Sequence, residues 1–142
     1  MTLTTLTDEA ATRAFAADLA RELPHGALLL VDGPLGAGKT TLVAALVWAL
    51  GGPDRTSSPT YTLIHEYPTP HGEVIHVDAY RLGDPTELDE LGLDDYLDRA
   101  RLVVVEWGGP LARTHPEAWR LAMDRTAGAA TVRTARLEPP RG

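Results

Sequence analysis

The chain has no cysteine among its 142 residues, so neither a disulfide framework nor a cysteine-held zinc supports it, and thiols say nothing about its redox compartment. It has one phenylalanine. It also lacks a long hydrophobic run: the longest, Leu42 to Leu50, falls far short of the roughly 20 residues that span a bilayer. The amino end, "MTLTTLTDEAATR", shows no basic stretch leading into an apolar one, so a cytosolic protein is the expectation. Positive charge is scarce, with thirteen basic against twenty acidic residues and a formal charge of −7. That balance argues against an independent, charge-driven grip on nucleic acid or anionic membrane, and any RNA role would need a partner. Scarcest of all is lysine. Lys39 is alone, while arginine occurs twelve times.

What is present fits one globular domain over residues 1–142, 44% hydrophobic, with a frayed tail over 138–142. Residues 8 to about 21 read as a helix, capped by Thr7, with Asp8 and Glu9 in its first turn and Ala11, Phe15 and Leu19 on one face. "ALLLV" (27–31) is a short, uninterrupted apolar run, the mark of a central strand buried on both faces. "KTTLVAALVWAL" continues as a helix that Gly51-Gly52-Pro53 ends. Residues 61–80 alternate on either side of "PTPHG" and predict an antiparallel hairpin. Residues 84–98 predict two short helices broken at Gly92, an acidic stretch read as a solvated face. "RLVVVEW" (101–107) is a second buried strand, and "AWRLAMD" with "TVRTARL" predicts a terminal hairpin. The fold expected is α/β: a P-loop NTPase-like domain with a mixed parallel and antiparallel sheet flanked by helices.

The solitary lysine lies in "VDGPLGAGKTTLV", where Gly33-x4-Gly38-Lys39-Thr40 is the phosphate-binding P-loop pattern, set between a strand and a helix as the motif requires. A compact ammonium reaches between phosphate oxygens where a planar guanidinium would demand bidentate geometry. Backbone N–H groups from Gly33 through Leu35, Gly36, Ala37, Gly38 and Lys39 to Thr40 and Thr41 would cradle phosphate at the helix N-terminus. Lys39 would bridge the β- and γ-phosphates of ATP, and the Thr40 hydroxyl would ligate Mg²⁺. A carboxylate near the metal is also needed, at the carboxyl end of a buried strand. Asp78 ends "VIHV" and Glu106 ends "LVVV". Either would hold Mg²⁺, directly or through a water, while the other polarises the attacking water or senses the γ-phosphate. "TSSPTY" supplies Ser58 and Thr60 where P-loop switches place a hydroxyl that closes on metal and γ-phosphate. Trp107 packs over the nucleotide or fills the sheet edge, and Arg81 meets phosphate or a surface acid. The five histidines show no metal spacing and are read as structural.

With "GPLGAGKTT", "TSSPTYTLIHEY", "HVDAYRL" and "VVVEWGGP" in that order, the chain resembles the TsaE family, formerly YjeE, the bacterial ATPases of tRNA threonylcarbamoyladenosine synthesis. The likeness runs from residue 8 to about 125. It implies a compact P-loop domain with a mixed sheet, ATP and Mg²⁺ as ligands, and weak hydrolysis in isolation. It also implies TsaD and TsaB as partners, which modify the adenosine beside the anticodon, so that tRNA is met only through the complex. The family's functional residues correspond to Lys39, Thr40, Ser58, Pro59, Thr60, Asp78, Glu106 and Trp107. Two departures stand out. Ala79 occupies a place where a bulkier apolar residue is common, which should loosen packing. Gly108-Gly109-Pro110 follows the Glu-Trp pair where many relatives carry another acid.

Two rival readings use the same loop. A small-molecule kinase would pass the γ-phosphate to a bound acceptor, but no lid with several arginines or acceptor pocket is evident. A non-catalytic nucleotide-dependent interaction module would not require both Asp78 and Glu106. A GTPase fits less well still, because its guanine-reading Asn-Lys-x-Asp requires a second lysine that the chain lacks.

Overall fold

A computed structural model describes residues 2–34, 36–53, 63–82, 84–126 and 132–141, apart from the side chains of Arg81, Pro85 and Thr86. Leu35, Ser58, Pro59 and Thr60 lie outside the described residues. Seven strands form one sheet: β1 (Thr2–Leu6), β2 (Ala27–Asp32), β3 (Ile64–Tyr67), β4 (Val74–Asp78), β5 (Leu102–Glu106), β6 (Trp119–Arg125) and β7 (Arg133–Glu138). Their order is β1-β7-β6-β2-β5-β4-β3. The middle four, β6-β2-β5-β4, run parallel. The remaining pairs, β1 with β7, β6 with β7 and β3 with β4, are antiparallel. The mixed α/β sheet expected from the sequence is therefore present.

Period-two alternation divides the parallel strands between two cores. Leu29 and Val31 of β2, with Leu102 and Val104 of β5, face helices α1 (Glu9–Glu22) and α2 (Lys39–Ala49). Leu28 and Leu30, with Val103 and Val105, face the other side, where Leu88 and Leu93 cover them. Leu93 opens α3 (Leu93–Arg99). Burial on both faces explains why these strands read as unbroken apolar runs.

Several details differ from the sequence reading. Asp8, not Thr7, caps α1: its carboxylate accepts from the Ala11 N–H at 2.8 Å, because the N-cap is the residue whose extended backbone aims its oxygen at the first turn. Thr7 is not helical because β1 ends at Leu6, one residue earlier. The buried face of α1 is Thr12, Ala16, Leu19 and Ala20, with Phe15 at its margin and Ala11 only half-buried. Strand β1 itself was not expected, since "TLTTL" has a weak apolar signal and is ordered by pairing Thr2–Leu6 against Leu137–Arg133. The first of the two short acidic helices is a 3-10 turn, Pro85–Asp89, and Gly92 at φ 95° opens the second. The tail is tied beyond 138 as well, for Glu138 lies in β7 and the Arg141 N–H bonds the Pro116 carbonyl at 3.0 Å. Ala79 is 2% exposed within the second core, so its small side chain is close-packed rather than loose.

Candidate active site

The register of three parallel strands sets the site. Val31 stands opposite Glu106 in one pairing and Asp78 opposite Glu106 in the other, so both acids reach the edge where β2 enters the glycine loop. Alternation also puts Asp78 and His76 on the strand face shared by Val104 and Glu106, the face that α2 covers.

The loop turns between β2 and α2 on backbone angles that side chains avoid. Gly36 holds φ 79° and Gly38 φ 95°, both left-handed. At Gly33 a Cβ would run into the carbonyl of Met123 on β6, so close approach demands glycine there. Gly38 is the N-cap of α2 and offers no side-chain cap, and the first turn carries no acid. The N–H groups of that turn are thus left for an anion, which the helix dipole also favours.

Lys39 is 5% exposed. Its ammonium donates to the carbonyls of Gly33 at 2.5 Å and Pro34 at 3.0 Å and lies 3.9 Å from the centroid of the Trp107 ring. Burial pushes its pKa down, and the charges of Glu106, Asp32 and Asp78 pull it part of the way back. The Thr40 hydroxyl donates to Glu106, 3.0 Å from Oε1 and 3.3 Å from Oε2. Asp78 caps a short turn, accepting from the Tyr80 N–H at 3.0 Å. Trp107 holds φ 63°, its N–H bonded to the Val31 carbonyl, and its ring meets Tyr80 at 5.0 Å. Gly36, Gly38, Lys39, Thr40, Asp78, Tyr80, Glu106, Trp107 and Arg133 are among the residues lining one cleft of about 380 Å³. Of the residues the sequence singled out, Gly36, Gly38, Lys39, Thr40, Thr41, Asp78, Glu106 and Trp107 converge on this cleft, with Trp107 over the lysine rather than filling a sheet edge.

Three contributors were not foreseen. His76, read as structural, places Nε2 2.5 Å from Glu106 Oε2. Its spacing two residues before Asp78 was the available signal, because in a strand that puts both on one face. Asp32, the last residue of β2, accepts from the Gly109 N–H at 3.2 Å; burial raises its pKa, opposed by that bond and by Lys39. A Cβ at Gly109 would collide with the Asp32 carboxylate, and one at Gly108 would press on Val105 and Leu30. The glycines after Trp107 thus admit an acid from the neighbouring strand. Arg133 of β7 donates from Nε to the Gly36 carbonyl at 3.0 Å, a contact that only the folded sheet reveals.

The donor set suits a nucleotide with a divalent cation. Uncapped helix N–H groups and a lysine match phosphate, and a hydroxyl with two carboxylates matches a hard cation that prefers oxygen.

A family model described as threonylcarbamoyl adenosine biosynthesis protein TsaE matches residues 6–134. The chain belongs to the TsaE family. TsaE of Streptomyces coelicolor is 40% identical over 114 residues, covering 78% of this chain and 76% of the relative. TsaE of Haemophilus influenzae is 38% identical over 91 residues, which are 64% of this chain and 58% of the relative's length. Among solved structures, Bacillus subtilis YdiB superposes with a TM-score of 0.77 at 25% identity, over 98% of this chain and 85% of that one. This TsaE-family member thus shares its architecture with a solved protein along nearly its entire length.

Proposed function

We propose that this TsaE-family chain binds ATP with Mg²⁺ in the P-loop cleft, hydrolyses it slowly, and acts as a nucleotide switch on a TsaD–TsaB transferase in tRNA threonylcarbamoyladenosine biosynthesis. The observation that carries the reading is the meeting of Thr40 and Glu106 at 3.0 Å beside the buried Lys39. A P-loop hydroxyl and a strand-end carboxylate on one spot are what a metal-assisted phosphoryl transfer needs.

In this reading Lys39 exchanges its bonds to the Gly33 and Pro34 carbonyls for phosphate oxygens, and the first turn of α2 supplies N–H donors to the same group. Thr40 and Glu106, with Asp78 alongside, would hold Mg²⁺, which when bound neutralises charge on the β- and γ-phosphates. Trp107 lies over the lysine and Tyr80 packs against its ring at the mouth of the cleft. The process follows from family membership, and the net charge of −7 fits a subunit whose partners hold the tRNA.

Lys39→Ala removes the buried ammonium. ATP affinity should fall about 10- to 100-fold, the loss of a hydrogen bond to a charged group. Glu106→Ala should leave ATP binding without Mg²⁺ nearly intact and lower turnover by roughly 100-fold, the size of a general-base or metal-side contribution. Isothermal titration with ATP and phosphate release check both. Parental affinity in Lys39→Ala would remove ATP from this cleft, and parental turnover in Glu106→Ala would remove that carboxylate from the mechanism.

A further inference from the structure

Glu106 is tied at both oxygens. Thr40 donates at 3.0 Å to Oε1, and His76 Nε2 sits 2.5 Å from Oε2. The histidine and the glutamate are 3% and 4% exposed. A carboxylate only accepts, so a hydrogen bond between the two needs the ring hydrogen on Nε2. The other ring nitrogen, Nδ1, is buried with no partner among the described residues. An unmatched polar atom in a core is a standing cost. Its neighbours in β4, Val74, Ile75 and Val77, are all apolar and buried, and an apolar residue at 76 would avoid that cost. What no apolar residue could do is hold the glutamate.

We propose that His76 is a positioning residue for Glu106: by donating from Nε2 to Oε2 it fixes the carboxylate with Oε1 facing Thr40 and the phosphate loop. The inference rests on the cleft being a Mg²⁺–ATP site. A glutamate's terminal torsion is broad, so one hydrogen bond leaves the carboxylate free to swing. A second bond from a ring locked in the sheet removes that freedom. His76 faces Val104 across the β4–β5 ladder and reaches diagonally to Glu106. His76 engages Oε2 at 2.5 Å, while the Thr40 hydroxyl lies nearer to Oε1, at 3.0 Å, than to Oε2, at 3.3 Å.

The test compares His76→Asn, whose amide stops short of Glu106, with His76→Gln, whose amide nitrogen reaches about as far as Nε2. ATP affinity is titrated in EDTA and against rising Mg²⁺, with thermal unfolding alongside. In His76→Asn the Mg²⁺ concentration for half-saturation should rise about 10-fold or more, the usual cost of losing a partner behind a metal ligand. Its affinity for ATP without Mg²⁺ should stay within about two-fold of the parent, and His76→Gln should recover most of the Mg²⁺ response. Parental Mg²⁺ dependence in His76→Asn would overturn the inference. So would equal defects in both variants that track lost ATP affinity and lost stability, since that marks a structural role only. A measurement on the unsubstituted protein is independent of folding in the variants: long-range ¹⁵N–¹H spectra should place the ring hydrogen of His76 on Nε2, and a hydrogen confined to Nδ1 would contradict it. Lys39→Ala separates the two levels. If it binds Mg²⁺–ATP like the parent, the cleft reading fails and takes this inference with it. If it binds more weakly, as expected, while His76→Asn keeps the parental Mg²⁺ response, only the inference fails.

Discussion

Trp107 holds a left-handed backbone at φ 63°, a conformation costing a bulky residue about 1–3 kcal/mol. The strain is held by the bond from its N–H to the Val31 carbonyl and by the ring's place over Lys39 and against Tyr80. Because the lysine ammonium lies 3.9 Å from the ring centroid, any ligand that draws Lys39 onto phosphate changes the ring's surroundings. Adding ATP should therefore alter tryptophan fluorescence, and Trp107→Phe should lose that change although Trp48 and Trp119 remain. An equal response in Trp107→Phe would assign the signal elsewhere. At this scale the sequence was partly legible. A solitary lysine inside a glycine loop, and acids closing two apolar runs, marked Lys39, Asp78 and Glu106. His76 was hidden because its role depends on which strand lies beside β4, a tertiary fact.

Between elements, polar links hold the second face of the sheet. His115, 7% exposed, joins the 3-10 turn at Asp89 to the segment that follows Leu111, with Nε2 3.0 Å from Asp89 and Nδ1 3.0 Å from Glu117. Burial alone would lower its pKa, but the two carboxylate hydrogen bonds and their charges outweigh it, so the folded value lies above the ordinary 6.5. A histidine that binds its proton more tightly when folded adds stability that is fully present below the unfolded value and is lost as pH rises through the folded one. Urea unfolding should show a gap between the parent and His115→Asn that is widest near about pH 6 and narrower near about pH 9. A gap that stays constant or widens with pH would contradict the assignment. Element types were legible wherever pattern and length agreed, as in "ALLLV", "LVVVE" and the P-loop helix. Boundaries were not. Thr7 yielded the cap of α1 to Asp8 because β1 occupies the residues just before it, and β1 exists only because β7 offers it an edge.

For the molecule as a whole, the parallel core β6-β2-β5-β4 bears both the stability and the site, since the strands buried on two faces are those whose ends carry Glu106 and Asp78. Leu29 sits at its centre with no exposure. Leu29→Ala should cost about 2–5 kcal/mol in urea unfolding, the range for a large-to-small change in a packed core. A loss below roughly 1 kcal/mol would mean that the site collapses around the gap. The cleft lies at the end of this core. The most direct test of its proposed chemistry is ATP hydrolysis by the purified protein with Mg²⁺, alone and with TsaD and TsaB, in the presence and absence of tRNA, with Lys39→Ala as control. Slow, Mg²⁺-dependent phosphate release that the partners stimulate and that Lys39→Ala abolishes is the expected result. Hydrolysis that is the same in Lys39→Ala, or phosphate transferred to an added small metabolite with no response to the partners, would contradict it.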